Sequence, residues 1–344
     1  MKTFAVLMVT LTFIGPAGYS QGKEYLYAFF KQNIGLIDSE IASIESGQAV
    51  AKMLDSPRPS QMFLFGAVSV NAQPDAYVRF ATNIDKLKSL PSYVAIRRFS
   101  IPPALSDLSG FDMDADEVDD LKSCEPSDCD MQLAAENIEK FRTRINWSGE
   151  QVVAQVNHLA QEMALQTLLK YQRLGDPALA TYVDKEIPSQ ASQQFRALLA
   201  YSKVLPEKLP VLDSYLLNYP KGAPPDISSN FYWEKINFGL RPTLRVNQEV
   251  SAHLVGTHGP IDVVAIKQLY ANHYFQTALD LSFCIPRSAG GFYLIIIKES
   301  EQDGLTGFTG RLIRKTASDR AQTALENYLV TIKKNLEAER KAGG

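Results

Sequence analysis

The chain has no surplus of positive charge. Its 344 residues hold 35 Lys and Arg against 38 Asp and Glu, a formal net charge of −3. Holding a phosphate backbone needs clustered cations, so a nucleic-acid partner is excluded and small molecules, proteins or lipid remain. Long apolar runs are missing beyond the first residues. A spanning helix needs roughly 20 apolar residues, and no later segment supplies them, so the chain does not read as an integral membrane protein. Catalytic signatures are missing as well: no zinc-protease helix motif and no phosphate-loop motif occurs. Gly18-Tyr19-Ser20-Gln21-Gly22 has the letters of a nucleophile elbow but lacks the strand before it and the helix after it. No catalytic residue and no cofactor is assigned, and a non-enzymatic role is favoured. Only four histidines occur, His158, His253, His258 and His273. His253 and His258 flank a turn with Asp262 nearby, but ligand-like spacings are absent and no metal is assigned.

What is present begins with an export signal. Met1 and Lys2 precede an apolar run from Phe4 to Ile14, followed by Gly15, Pro16, Ala17, Gly18, Tyr19 and Ser20. A basic start, a short apolar stretch and a small-residue exit form a secretory signal, with cleavage expected after Ser20. The run is too short, and Pro16 too early, for an uncleaved anchor. The mature protein is therefore expected in the periplasm or outside the cell. Cys124 and Cys129 bracket Glu-Pro-Ser-Asp, and an oxidising compartment permits a disulfide between them. Closing so short a loop stabilises by only about 2 kcal/mol on a chain-entropy model. Zinc is the competitor, but two Cys without nearby His fall short of four ligands. Cys284, in an apolar strand, reads as an inert buried thiol.

Periodicity divides the remainder. Leu26, Phe29, Phe30, Ile34, Ile37, Ile41 and Ile44 predict one helix over Tyr25 to Ile44. Strands are expected at Gln48–Leu54, Met62–Val70 and Tyr93–Phe99. Pro74 opens a short helix over Ala76–Asn83, and Lys86 to Pro91 reads as a connection. Between Gly110 and Asp120 stand six carboxylates. Asp112, Asp114 and Asp116 imitate a calcium loop, but Glu117 replaces the required Gly and Ser123 the bidentate Glu. A capping box from Asp114 to Glu117 fits better. Gln132 to Leu217 is mostly helical, broken at Gly175-Asp176-Pro177.

From Leu244 the pattern becomes period two. Leu244, Val246, Val250, Ala252 and Leu254 face one way, and Arg245, Asn247, Glu249, Ser251 and His253 the other. Further strands follow at Ile261–Leu269, Asn272–Ile285 and Phe292–Lys298. Tight links between them imply an antiparallel meander. Gly304, Gly307 and Gly310 link the last strand to a helix over Gly310–Ala338. Gly307, with Arg311 and Arg314, is a candidate anion contact, since such a link presents backbone N–H groups. The alternative is a plain link beside a solvated basic face.

The run Phe65-Gly66-Ala67-Val68-Ser69-Val70, then Pro74 and a short helix, combined with the later meander and the terminal helix, resembles the START-like, helix-grip superfamily. That likeness covers about Gly47–Phe99 and Phe231–Leu336. It implies an α+β fold in which a curved antiparallel sheet grips the C-terminal helix around a cavity for lipid or another apolar molecule. The segment between would be a large helical insertion. The divisions are 1–20 for the signal, 21–101 for the N-terminal helix and first START-like elements, 102–230 for the insertion, and 231–344 for the strands and last helix. The chain also resembles exported bacterial proteins that share the Cys124–Cys129 segment and Tyr270-Ala271-Asn272-His273-Tyr274-Phe275, a likeness that implies no activity. In the START-like reading His273, Phe275, Thr277 and Leu279 share a strand face and are the candidate cavity residues; the alternative is that they pack a dry core. The expected function is non-catalytic binding or carriage of an apolar small molecule or lipid. An envelope protein-interaction scaffold is one alternative. A hydrolase using His273 or His253 is another.

Overall fold

The computed structural model describes residues 16–202, 209–222, 224–238, 241–256, 259–302 and 307–343, with side chains for all of these except 16–22, 307–313 and 342–343. The signal segment and His258 lie largely or wholly outside them. The N-terminal helix is not continuous. α1 (Pro16–Phe29) passes into a π-helical turn (Phe30–Ile34) that Gly35 closes at φ 72°, its N–H bonding Phe30 O. A left-handed glycine ends helices in this way, and periodicity alone does not register it. α2 (Asp38–Glu45) resumes the apolar stripe, so Leu26, Phe30, Ile34, Ile41 and Ile44 are all buried.

β1 (Val50–Leu54) and β2 (Gln61–Val70) form a hairpin, and α3 (Pro74–Ala81) starts on its proline. The stretch expected as a connection contains α4 (Ile84–Lys88), because the Asn83 side chain accepts from the N–H groups of Asp85 and Lys86 and so caps a helical turn. β3 (Tyr93–Arg98) follows. The next segment holds α5 (Ala115–Lys122), α6 (Ala135–Arg144), α7 (Val152–Leu174), a small hairpin of β4 (Thr181–Tyr182) and β5 (Ser189–Gln190), α8 (Ala191–Tyr201) and α9 (Pro210–Asn218). α5 begins with the Asp114–Glu117 capping box. Cys124 and Cys129 are bonded, with Cα atoms 4.6 Å apart. Then come β6 (Ile227–Ile236), β7 (Thr243–Gly256), β8 (Gly259–Ala271), β9 (Phe275–Pro286), β10 (Phe292–Gln302) and α10 (Gly307–Gly343). Gly307 and Gly310 thus belong to the helix rather than to a link before it.

All the long strands join one antiparallel sheet in the order β1-β2-β10-β9-β8-β7-β6-β3. The fold is α+β, with the long C-terminal helix against the sheet. Both sheet faces are covered. On one face, Phe63, Phe65, Val263, Leu281, Phe283 and Ile295 pack against α1, α2, α8 and α9. The β6–β8 end of that face, with Phe231, Trp233, Leu244, Val246 and Leu269, packs against α5–α7. The segment from α5 to α9, expected as an insertion, therefore shares its core with the sheet. The opposite face takes α3, α4 and α10, whose Leu325, Leu329, Ile332 and Leu336 cover Val68, Leu294 and Ile296.

α10 lies along β2. Arg314 donates to Pro59 O at 2.7 Å, Ser56 Oγ at 2.7 Å and Gln61 O at 3.2 Å, while Lys333 reaches Ser69 O at 2.9 Å. Near its C-terminus Glu337 accepts from Asn71 N–H at 2.8 Å. Gly66 lets the helix come close: a Cβ there would stand 2.7 Å from Leu325 Cδ2 and 2.9 Å from Leu329 Cδ1.

Candidate functional site

Strand register assigns each side chain to a face. On the α10 face, Glu234 of β6 stands opposite Arg245 of β7. The next row is Tyr232, Asn247 and Gln268, and the row after that runs Asn230, Glu249, Ile266, Asp280 and Lys298 across β6 to β10. Toward the far end the same face turns apolar, through Val264, Cys284, Leu294 and Val68. One half of this face is thus polar and the other half greasy.

The polar half is deeply buried. Glu234 is 2% exposed, Arg245 5%, Asn247 0% and Gln268 3%. Arg245 Nη1 meets Glu234 Oε1 at 3.3 Å. Its guanidinium lies 5.9 Å from the Phe238 ring centre and 5.8 Å from that of Phe275, a cation–π arrangement. Yet among the described residues Arg245 Nε and Nη2, Asn247 Oδ1 and Gln268 Oε1 have no protein hydrogen-bond partner, whereas the Asn247 amide N–H is directed to the Glu234 carboxylate and favours its charged form. Gln268 Nε2 does donate, to Phe275 O at 2.8 Å. Buried polar atoms are nearly always paired, so four open ones within two adjacent rows call for a reason.

Charge in the cluster is organised in pairs. Glu249 accepts from Arg98 at 3.2 Å, and Lys298 pairs with Asp280 nearer the surface. Burial pushes the Glu234 carboxyl above its ordinary range, with Arg245 opposing it. Burial likewise raises Glu249 against the pull of Arg98. The Arg245 charge is penalised by burial, but Glu234 and Asp280 outweigh that and hold its pKa up. Tyr93 and Tyr232 are raised by burial and then by Glu234; Tyr328 of α10 is pushed up by burial to about 12. Paired charges and hard-to-ionise phenols suit recognition better than proton transfer.

Among the described residues, Phe275 alone of the sequence-derived candidates reaches this site. His273 sits in the turn before β9, where Tyr274 adopts φ 64°. Its Nε2 meets Glu117 Oε1 at 2.9 Å and its Nδ1 faces Asp130 O at 3.2 Å. Asn272 Nδ2 donates to the same Glu117 oxygen at 2.9 Å, so this group ties α5 to the sheet. Thr277 and Leu279 point to the insertion face, opposite Glu301 and Glu299. Phe275 points the other way, toward Arg245, because the register shifts between Glu301 and Gln302. An irregularity of this kind reverses a strand's alternation, which a strict period of two cannot anticipate. Arg314 is spent on the Ser56–Gln61 turn. Gly307 and Arg311 belong to the first helical turns of α10, and the Arg311 side chain is outside the described residues. His253 pairs with Asp262 at 2.5 Å on the surface. Among the described residues, no three His, Cys, Asp or Glu side chains gather as a metal-binding group. No helix there is long and apolar enough to cross a membrane.

A cavity of about 40 Å³ lies at the insertion face, bounded by Phe111, Met131, Phe141, Met163, Leu244 and Tyr270. That volume has room for little more than a few waters. On the same face, Lys267 is fully buried, paired with Asp176, donating to Leu216 O at 2.7 Å and lying 3.9 Å from the Phe195 ring centre. Burial lowers its amine to about 8 despite Asp176. No protein-family model matches this chain, and no curated protein does either.

Proposed function

We propose that this chain is an exported, non-catalytic carrier that holds a lipid-like or otherwise apolar ligand in a START-like grip between sheet and terminal helix. The order of elements supports the grip: a long strand, a proline-started helix, the meander, then one helix lying along the first long strand. The bonded Cys124–Cys129 pair is compatible with an oxidising compartment. A carrier pocket needs apolar walls and a few groups that orient the guest. Phe238, Phe275, Tyr93 and Tyr328 offer the walls, and Arg245, Asn247 and Gln268 the orienting groups.

One observation carries this reading. Arg245 is 5% exposed and flanked by two aromatic rings, yet two of its nitrogens have no partner. Native mass spectrometry of protein gently extracted from its host tests it. A co-purifying apolar molecule is expected, and Arg245→Met should retain less of it. Protein recovered consistently empty would count against the carrier, and capture of an envelope protein instead would favour a scaffold.

A further inference from the structure

The cluster facing α10 constrains the head of its guest by charge and by open valences. Its three acids, Glu234, Glu249 and Asp280, are each matched by a base, Arg245, Arg98 and Lys298. Among the described residues no cation of the cluster is left over to neutralise an incoming carboxylate or phosphate, and no acid to neutralise an incoming amine. A charged head would have to lose its water without an opposing charge, which a buried site resists. An anion at Arg245 would also lie beside Glu234, 3.3 Å from that guanidinium. Asp280, whose charge is felt at both Arg245 and Glu234, would repel it further.

The open hydrogen-bonding atoms are of both kinds. Arg245 Nε and Nη2 donate; Asn247 Oδ1 and Gln268 Oε1 accept. Asn247 and Gln268 face each other across β7 and β8, two residue pairs along from Arg245 and in the next row on the same face. A carbonyl directed at Arg245 would leave the two acceptors open. A hydroxyl or single N–H beside that carbonyl would fill one of them, and the two N–H bonds of a primary amide would fill both.

We infer that the site selects an uncharged head group carrying an acceptor and a donor on neighbouring atoms, such as a primary carboxamide, on an apolar body. This rests on the carrier reading given above. The test titrates the full mature chain by calorimetry at neutral pH with dodecanamide, dodecanoate and methyl dodecanoate. The three share a tail and differ only in the head: donor with acceptor, anion, and acceptor alone. The amide is expected to bind tightest, about tenfold or more over the carboxylate, with the ester between, as expected when buried polar atoms are left unpaired. Carboxylate binding as tight as the amide overturns the head-group inference and leaves the carrier standing. Failure of all three, together with an empty native spectrum, removes the carrier and the inference with it. In Asn247→Leu the amide-over-carboxylate preference should fall to within about threefold, since one of the two open acceptors is gone. Gln268→Met, which removes the acceptor and keeps the bulk, should give the same direction if the first variant does not fold. An unchanged preference in a folded variant would refute the assignment.

Discussion

Lys267 on β8 and Arg245 on β7 are both buried cations on the same sheet, each paired with a carboxylate, but they face opposite ways and differ in what surrounds them. Lys267 draws together the turn after α7 through Asp176, the end of α9 through Leu216 O and the Phe195 ring of α8. Among the described residues Arg245 has its ion pair on the adjacent strand, lies beside the Phe238 and Phe275 rings and keeps two nitrogens open. The first arrangement binds the insertion to the sheet. The second leaves valences that contribute nothing to holding the fold together. Buried charge is therefore no single kind of feature: its satisfaction separates a tie from a receptor.

Breaking the tie should have the largest effect. Lys267→Met leaves Asp176 buried and uncompensated and should cost about 3–5 kcal/mol in urea unfolding. Adding Asp176→Leu should restore much of it; a single-variant loss below about 1 kcal/mol would end the distinction drawn here. Next comes the acid on the same face. Burial raises Glu299 from 4.5 to about 8, with the Ser202 hydroxyl donating to it in opposition. A folded-state pKa above the unfolded one gives a contribution that is full below about 4.5 and lost as pH rises through about 8. Wild-type stability should decline across that window by a few kcal/mol, and Glu299→Gln should flatten the profile of urea midpoint against pH.

On the other face the changes are smaller. Gly66→Ala forces a methyl against Leu325 and Leu329 and should lower stability by about 1–3 kcal/mol, read from thermal unfolding. Asn247→Leu should be the mildest. Removing a buried amide whose oxygen is open, at the loss of one bond to Glu234, should change stability by no more than about 1 kcal/mol in either direction. A loss as large as that of Lys267→Met would mean that Asn247 holds the fold, and that the two clusters do not differ in kind.

Much of this architecture is legible in the residues. The alternation from Leu244 to Leu254, the tight links after it and the stripe Leu325, Leu329, Ile332 and Leu336 lead directly to the meander and the terminal helix. The capping box at Asp114 and Glu117 is equally local, so it can be read directly. The site is harder to see. Arg245, Asn247 and Glu249 occupy every second position of β7, a pattern ordinarily met where one sheet face is wet. They are buried because helices from distant parts of the chain cover both faces, and no local pattern encodes that cover. Glu234, directly after the aromatic run Phe231-Tyr232-Trp233, is the one local hint. The tie at Lys267 is hidden for a similar reason: Asp176 lies 91 residues away. His273 and Phe275 were separated from Thr277 and Leu279 by a turn and a register shift, each a departure from simple periodicity.

The strand order has a consequence for how the chain reaches its native state. β2 and β3 are neighbours in sequence, yet they flank opposite sides of the five strands β6 to β10. β2 pairs with β10, joining residues 61–70 to partners 292–301. An emerging chain therefore makes these early strands long before their partners exist. Local hairpins close cheaply, whereas distant pairings wait on large loops. Pulse-labelled hydrogen exchange during refolding is expected to protect the amides of β7, β8 and β9 first. Those at the β2–β10 seam should follow last, so that completion of the sheet is timed by its most distant partners.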